Sequence, residues 1–170
     1  MVYADALSTP IIIERAITKD IDVLTELFEL YRSFYGKEPQ AEKARAFLLE
    51  RMEKEESVIY LARNTQPASP EEQGMMRYAG FVQLYPVFSS TRMQRLWLLN
   101  DLYVRSEYRG RGISKRLIEG AKQLAHTTQA CGLLLETAKD NHIGNALYPR
   151  EGFTLTDTVN FYWWDAIERA

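Results

Sequence analysis

Hydrophobic residues in the first half of the chain recur with two different periods. Consecutive isoleucines make residues 11–16 typical of a strand, and the β-branched stretch at 57–62 predicts another. Between them, apolar residues spaced by three or four positions predict an amphipathic helix that ends at Gly36. This apolar stripe consists of Ile21, Leu24, Phe28, Tyr31 and Tyr35. A second helix is expected to begin at Pro39.

The second half of the chain combines longer apolar runs with one strongly striped helix. Strands are predicted at 78–88, 96–104, 132–137 and 154–165, and helices after residue 112 and at 144–151. The run at 132–137 is continuously apolar, which is typical of a buried strand. Residues 1–10 lack periodicity and are interpreted as a loose arm, and residues 64–76 as a loop. The order of elements indicates a mixed α/β (α+β) fold.

Length and composition fit one domain that spans residues 1–170. The chain contains 46% hydrophobic and 26% charged residues and has a net charge of −2. Because affinity for nucleic acid depends on a clustered excess of Lys and Arg, this charge argues against a general nucleic-acid binder. The single cysteine excludes an internal disulfide, and no apolar stretch reaches the about 18 residues of a membrane span. We therefore expect a cytoplasmic protein without a membrane partner.

A basic turn with two glycines lies between the predicted strand at 96–104 and the helix that follows. It reads Arg109-Gly110-Arg111-Gly112. Peptide N–H groups at a helix N-terminus lack intrahelical partners and carry the positive end of the dipole, so the turn suits a diphosphate. Glycine permits close approach, and the planar guanidinium of arginine suits phosphate better than a lysine does. A solvated surface turn or a nucleic-acid contact is the alternative.

A second motif lies downstream of this turn. It consists of Asn141, Gly144, Leu147, Tyr148, Gly152 and Phe153. The turn residues Arg109, Gly112 and Ser114 come first along the chain, and this motif follows them. The two motifs together resemble the acetyl-CoA-binding core of the GNAT superfamily of N-acetyltransferases. Two positions depart from the pattern: Ser114 stands where a smaller Gly or Ala is usual, and Gly144 stands where Ala is usual.

The resemblance implies the GNAT fold, in which a mostly antiparallel sheet splays between its fourth and fifth strands. It also implies direct transfer of acetyl from acetyl-CoA to a primary amine. The cofactor-binding residues that it implies are Leu102, Tyr103, Val104, Arg109, Gly110, Arg111, Gly112, Ile113, Ser114, Asn141 and Tyr148. The strand backbone and Asn141 would hold the pantetheine arm, and Tyr148 would be the general acid for the departing thiolate.

Two of these residues have structural alternatives. A tyrosine on a short apolar helix is commonly a core residue with its hydroxyl at the surface. The neighbouring Gly152 and Phe153 favour the functional interpretation of Tyr148. Asn141 can cap the helix that follows it, and capping does not exclude ligand binding.

Asp101 lies within an otherwise apolar predicted strand, where a carboxylate is costly unless it is paired, hydrated or functional. Strand alternation places it on the same face as Trp97, Leu99 and Tyr103. We interpret Asp101 as the group that holds the cationic amine or accepts its proton through water, with a structural hydrogen bond as the alternative. Glu136, on the next predicted strand, is a second candidate that could equally pair at a strand end.

The segments at 84–90 and 99–104 resemble the diamine and histone/polyamine acetyltransferase subgroup. This resemblance implies a basic acceptor, either a small di- or polyamine or a lysine side chain. Four aromatic residues are candidates for a wall that receives the ammonium by cation–π contact: Tyr31, Phe34, Tyr35 and Phe88. Ordinary core and rim packing is the alternative for all four.

Other functional classes remain open. The cofactor cradle could serve a non-catalytic acetyl-CoA sensor or a partner-binding subunit, although Tyr148 argues against this. A remote alternative is an RNA or nucleotide binder that uses Arg105, Arg109 and Arg111. The aromatic run at 161–164 predicts an adhesive strand edge, so we expect a homodimer through the last strand, with burial inside the monomer as the alternative.

The remaining reactive side chains predict little chemistry. His126 and His142 have no cysteine or carboxylate at ligand spacing, so we expect no metal site. Cys131 precedes an apolar run and is expected to pack as a small hydrophobe, since direct transfer needs no cysteine nucleophile.

Overall fold

The computed structural model describes residues 10–66 and 74–166. The predicted arm at 1–10, apart from Pro10, and the central part of the predicted loop at 64–76 lie outside the described residues. The chain forms two compact units, residues 1–136 and 137–170. Each unit is described by itself.

The first unit holds the sheet and its helices. Its elements are β1 (Ile11–Arg15), α1 (Ile21–Phe34), α2 (Ala41–Glu53), β2 (Val58–Asn64), β3 (Tyr78–Ser89), β4 (Gln94–Val104), α3 (Ile113–Thr127) and β5 (Leu133–Leu134). Short 3-10 turns occur at Thr18–Asp20, Gly74–Arg77 and Ser106–Tyr108. The second unit holds α4 (His142–Arg150). The order of elements is the predicted one as far as α4.

The strands form one mixed sheet in chain order, from β1 to β5. Neighbours from β1 to β4 are antiparallel, and β5 runs parallel to β4. Helices α1 and α2 cover one face of the sheet, where Leu24, Leu27 and Leu48 pack against Ile59 and Phe81. Burial of each such side chain contributes about 1.5–3 kcal/mol, so this layer is a main source of stability.

Helix α3 packs against the opposite face. Its predicted apolar stripe is buried, at Leu117, Ile118, Ala121, Leu124 and Ala125. Gly120 permits close packing, because a Cβ there would lie 3.1 Å from Cγ2 of Ile13. At the end of the helix, Nε1 of Trp97 donates to Oγ1 of Thr128 at 2.9 Å. This hydrogen bond links the C-terminal end of α3 to β4.

A β-bulge at Asn100 reverses the predicted face of Asp101. Gln83 of β3 pairs with Asp101, but the next residue, Leu84, pairs with Leu99, so Asn100 is the extra residue. Asp101 consequently shares the α1/α2 face with Gln83, whereas Leu99 points to the α3 face with Leu84. The predicted alternation, which grouped Asp101 with Leu99 and Trp97, is therefore wrong. Only its grouping with Tyr103 holds.

Strand β5 is much shorter than the predicted strand at 132–137. It comprises two residues, and Leu134 is exposed, so the prediction of a buried strand is wrong. The reason is its position at the end of the sheet, where β4 is its one neighbour in the described part of the chain. It pairs with β4 only at Trp97 and Leu98. The pairing ends at Leu98, where the sheet splays between β4 and β5, and residues 99–104 have no strand partner on this side within 10–66 and 74–166.

The predicted strand at 154–165 does not form in the described part of the second unit. These residues have no regular structure, and Phe161, Tyr162, Trp163 and Trp164 are 71%, 91%, 91% and 84% exposed. Aromatic residues favour strands because they pack on a pleated surface, but that preference supplies no backbone partner. The alternative of burial within the monomer is likewise not observed.

Candidate active site

The basic turn has the geometry of an anion cradle. Gly110 and Gly112 adopt φ angles of 75° and 72°, in the left-handed region that favours glycine. A Cβ at either position would meet nothing within 4 Å, so the turn faces open space. Gly112 is the N-cap of α3, and no side-chain hydrogen bond caps this end of the helix. The N–H groups of the first turn, beginning with Ile113 and Ser114, are therefore available to phosphate oxygens.

The two arginines of the turn lie over aromatic rings. The guanidinium of Arg109 is 5.9 Å from the ring centroid of Phe34 and 6.0 Å from that of Tyr103, and its Nε donates to the carbonyl of Val104 at 3.1 Å. Arg111 lies 5.2 Å from the ring centroid of Tyr108. Both arginines remain exposed to solvent. The cations are thus oriented by stacking without being neutralised by those contacts.

The end of β4 offers a backbone edge beside this turn. On one side, β3 lies so close that a Cβ at Gly80 would be 2.2 Å from the carbonyl oxygen of Tyr103. On the other side, β5 pairs with β4 only at Trp97 and Leu98, so Leu102 has no strand partner there among the described residues, and the carbonyl of Val104 accepts from Nε of Arg109. An open β edge presents N–H and C=O groups in a row, as the amide-containing pantetheine arm requires. The predicted cofactor residues of the first unit therefore lie at the end of β4 and in the turn that leads into α3.

Asp101 lies in a buried polar cluster on the α1/α2 face. It is 4% exposed, and its Oδ1 accepts from Nδ2 of Asn100 at 3.1 Å. The hydroxyl of Tyr31 also hydrogen-bonds this carboxyl. Oδ2 is buried and has no hydrogen-bond partner among the described residues. Burial raises the pKa of Asp101, and the hydrogen bonds from Asn100 and Tyr31 offset only part of this effect.

Gln83 and Tyr85 extend the cluster along β3, and sequence reasoning missed both. Gln83 is 0% exposed, and its Nε2 donates to the hydroxyl of Tyr85 at 3.0 Å. Its Oε1 is buried without a partner in the part of the chain that is described. Burial raises the pKa of Tyr85, and the charge of Asp101 adds to the effect. A glutamine inside the apolar run Phe81-Val82-Gln83-Leu84 is the signal that could have found this cluster.

Only part of the predicted aromatic wall assembles. Tyr31 and Tyr35 meet edge to face at 5.1 Å, and Tyr35 meets Phe34 at 5.2 Å. Phe88 lies near the hairpin end of β3, where it stacks with Arg95 at 5.2 Å. It pairs with Arg95 whereas Gln83 pairs with Asp101, so about five residues of strand, or about 16 Å, separate it from the cluster. Phe88 is therefore not part of the wall.

Glu136 also lies apart from the predicted arrangement. It is exposed and follows β5 rather than lying within it. The expectation that it lies on the strand after Asp101 is wrong, since that strand ends at Leu134. An exposed carboxylate outside the sheet has no fixed direction imposed by strand geometry.

In the second unit, Asn141 is the N-cap of α4, which is the structural alternative considered for it. Its Oδ1 accepts from the N–H of Gly144 at 3.1 Å, and its Nδ2 donates to Oγ1 of Thr137 at 2.9 Å. A Cβ at Gly144 would lie 2.7 Å from Nδ2 of Asn141 and 3.2 Å from Cε2 of Tyr148. The departure from Ala at this position thus lets the Asn141 side chain and the Tyr148 ring approach closely.

Tyr148 lies on α4 and is half-buried. Its ring packs edge-on against Phe153, with centroids 5.8 Å apart. The N–H of Phe153 donates to the carbonyl of Tyr148 at 3.0 Å, and Gly152 permits this turn with a φ of 84°. The Gly152-Phe153 pair of the motif thus fixes the ring of Tyr148 locally.

Two further findings concern the described residues only. They contain no group of three or more His, Cys, Asp or Glu side chains placed to hold a metal ion. None of their helices combines the length and apolarity needed to cross a membrane.

A mixed sheet in which β5 pairs with only two residues of β4, followed by a glycine turn at the start of α3, is the arrangement that the resemblance to the N-acetyltransferase class implies. Comparison with known proteins gives the family. The chain matches the Acetyltransferase (GNAT) family over residues 24–153 and belongs to it. It is accordingly a GNAT-type N-acetyltransferase.

Relatives and solved structures agree with this assignment. The chain is 39% identical over 141 residues to the uncharacterized N-acetyltransferase YhfO of Bacillus subtilis strain 168, covering 83% of this chain and 88% of the relative. The crystal structure of a probable acetyltransferase matches with a TM-score of 0.83 and 35% identity, covering 93% and 99% of the two chains. The crystal structure of a predicted acetyltransferase from Clostridium acetobutylicum with acetyl-CoA shares the fold, with a TM-score of 0.70 and 16% identity. The match covers 89% of this chain and 95% of the other.

Proposed function

We propose that the protein transfers the acetyl group of acetyl-CoA directly to a primary amine within a ternary complex. The observation that carries the proposal is the glycine turn at the start of α3, which no side chain caps and which follows the part of β4 that does not pair with β5. The turn can bind the diphosphate of acetyl-CoA, and the unpaired part of β4 can hydrogen-bond its pantetheine arm. The Clostridium protein with acetyl-CoA supports the same co-substrate. We further propose that residues 1–170 act as one domain.

The reaction needs two proton transfers. The amine nitrogen attacks the thioester carbonyl carbon, the carbon–sulfur bond breaks, the amine loses a proton and the sulfur gains one. We assign to Asp101 the role of accepting the proton of the amine, directly or through water. Burial raises the pKa of Asp101 and so makes its carboxylate a better base. We assign the second proton transfer to the hydroxyl of Tyr148, which matches the general acid of the family pattern.

The surroundings of Asp101 support a cationic acceptor. Tyr31 hydrogen-bonds Asp101 and stacks on Tyr35, and Phe34 continues the aromatic surface. Aromatic faces beside a carboxyl suit an alkylammonium, which gains cation–π attraction and, when the carboxyl is ionised, a charge partner. We propose a small diamine or polyamine, or a lysine side chain, as the acceptor class.

We also propose that the protein forms a homodimer through 159–164. Four consecutive exposed aromatic residues make a larger apolar surface than a monomer usually presents. A second copy would supply the backbone partner that this strand-favouring segment lacks among the described residues. Light scattering should give a dimer for the native chain and a monomer for Trp163→Ser combined with Trp164→Ser. A native monomer would refute this arrangement.

The acceptor proposal is tested with acetyl-CoA and a panel of monoamines, diamines, polyamines, amino acids and lysine peptides, with the acetylated product identified by mass spectrometry. We expect acetylation of amines that carry a further positive charge or an alkyl chain. Tyr35→Leu should raise the KM for the amine more than it lowers kcat, whereas Phe88→Leu, the matched control, should change neither. Absence of product with every amine would overturn the proposed function.

A further inference from the structure

Two buried oxygen atoms without hydrogen-bond partners among the described residues belong to side chains that are paired across β3 and β4. Gln83 and Asp101 are direct cross-strand neighbours, so their side chains point to the same face with Cβ atoms about 5 Å apart. Oε1 of Gln83 and Oδ2 of Asp101 are both buried, and neither has a hydrogen-bond partner among the described residues. An unsatisfied buried acceptor is costly, and two at adjacent positions call for a common explanation.

The orientation of the Gln83 amide is set from its other side. Its Nε2 donates to the hydroxyl of Tyr85, which leaves Oε1 as the atom available toward Asp101. Oδ1 of Asp101 is likewise occupied, because it accepts from Asn100. The pair that remains consists of two acceptors, and two acceptors repel each other when the carboxyl is ionised. A single proton on Oδ2 turns them into donor and acceptor and satisfies both atoms.

We propose that Gln83 is a positioning residue for Asp101, whose carboxyl carries a proton in the free protein and donates it from Oδ2 to Oε1 of Gln83. A proton between the two oxygens needs no additional volume, whereas a water that bridges them would need space between side chains that are 0% and 4% exposed. The other polar groups of the cluster are Tyr31 from α1, Tyr85 from β3 and Tyr103 from β4, with Arg51 from α2 acting on Tyr85. Tyr31 hydrogen-bonds the carboxyl of Asp101, but Oδ2 of that carboxyl still has no partner among the described residues.

The inference rests on the proposed function in one respect, because there Asp101 receives the proton of the amine. A carboxyl that already holds a proton cannot do so. Asp101 must therefore lose its proton before the reaction, and Gln83 sets the pH at which this happens. Gln83 thus acts through Asp101 and needs no contact with the substrate.

The test follows the 13C chemical shift of the Asp101 side-chain carboxyl against pH in the full chain, with Asp101→Asn used to assign the signal. We expect the native protein to titrate well above the ordinary aspartate value of about 3.9. Gln83→Met removes the acceptor for the proton and should lower the midpoint by about one pH unit. Gln83→Glu places a second carboxyl beside the first and should raise the midpoint of the pair.

Each contrary result overturns the inference. A rise of the midpoint in Gln83→Met would mean that the amide donates to the carboxylate, and an unchanged midpoint in both variants would mean that Gln83 has only a packing role. If the Asp101 carboxyl of the native protein titrates near the ordinary aspartate value, the carboxyl does not hold the proposed proton, and this result stands even if neither variant folds. Because this readout needs no catalysis, a protonated Asp101 in a protein that acetylates no amine would refute the proposed function while supporting the Gln83–Asp101 pair.

Discussion

The ring of Tyr148 packs edge-on against Phe153, with centroids 5.8 Å apart, and the N–H of Phe153 donates to the carbonyl of Tyr148. The orientation of the ring is thus set by packing and by the backbone of the turn. Removal of the hydroxyl alone should leave this arrangement in place. The chemical role of Tyr148 can therefore be separated from its structural role.

Tyr148→Phe should lower kcat by about a hundredfold or more, because a general acid contributes about 10²–10⁴ to the rate. The Kd for acetyl-CoA and the melting temperature should stay close to the native values, since the contact with Phe153 is kept. Steady-state kinetics and calorimetry measure these quantities. Tyr60→Phe, a half-buried tyrosine of β2, is the control and should retain full activity. Equal kcat in both variants would exclude Tyr148 as the acid.

Gly112→Ala should weaken acetyl-CoA binding by about tenfold to a hundredfold, because the strained N-cap displaces N–H donors to the diphosphate. The left-handed conformation costs any other residue about 1–2 kcal/mol. Gly36, with a φ of 67° and open space around it, is a matched control for that strain. Calorimetric titration and thermal unfolding should show similar destabilisation in Gly112→Ala and Gly36→Ala but lost affinity only in the first. Similar affinities of the two variants for acetyl-CoA would mean that this turn does not bind the diphosphate.

Asn141 combines a helix cap with a proposed contact to the pantetheine arm, and two variants separate these roles. Asn141→Ala removes the oxygen that accepts from Gly144 and should destabilise the fold by about 1 kcal/mol. Asn141→Asp keeps that oxygen and should fold normally, but it loses the Nδ2 donor. Denaturant unfolding and acetyl-CoA titration distinguish the effects. If Asn141→Asp binds acetyl-CoA with native affinity, the Nδ2 group has no role in binding.

Asp101→Asn should make the protein more stable at neutral pH. Burial raises the pKa of Asp101 in the folded state, so the folded protein holds this proton more tightly than the unfolded chain does. Below the ordinary value of about 3.9, both states are protonated and no penalty exists. As the pH rises through the folded pKa, the native protein loses stability relative to the asparagine variant. Melting curves of both proteins across pH should therefore diverge as pH increases, and a constant difference would contradict the assigned shift.

The sequence was informative where local chemistry determines local structure. The stripe from Ile21 to Tyr31 predicted α1, and the glycine at 112 predicted the turn before α3, because helical periodicity and backbone freedom act over a few residues. The bulge at Asn100 could not be predicted, since it exists only in the pairing of β4 with β3. That one residue moves Asp101 to the face of Gln83 and creates the polar cluster.

Predictions that required a distant partner failed for the same reason. The aromatic run at 161–164 has strand propensity, but the described part of the chain supplies it with no neighbouring strand. Strand 132–137 shortened to Leu133–Leu134 because pairing with β4 covers only two of its residues. Phe88 is aromatic, as expected of a residue in the acceptor wall, but the register of β3 with β4 places it near the hairpin end of the strand.

The most direct test of the central claim follows the release of free thiol from saturating acetyl-CoA with and without a polyamine, together with the intact mass of the protein. The account predicts release only when the amine is present, stoichiometric acetylated amine, and no acetyl adduct on the protein, Cys131 included. Tight binding of acetyl-CoA without release in the presence of any amine would contradict it and favour a non-catalytic sensor. An acetylated protein that forms and decays during turnover would contradict direct transfer.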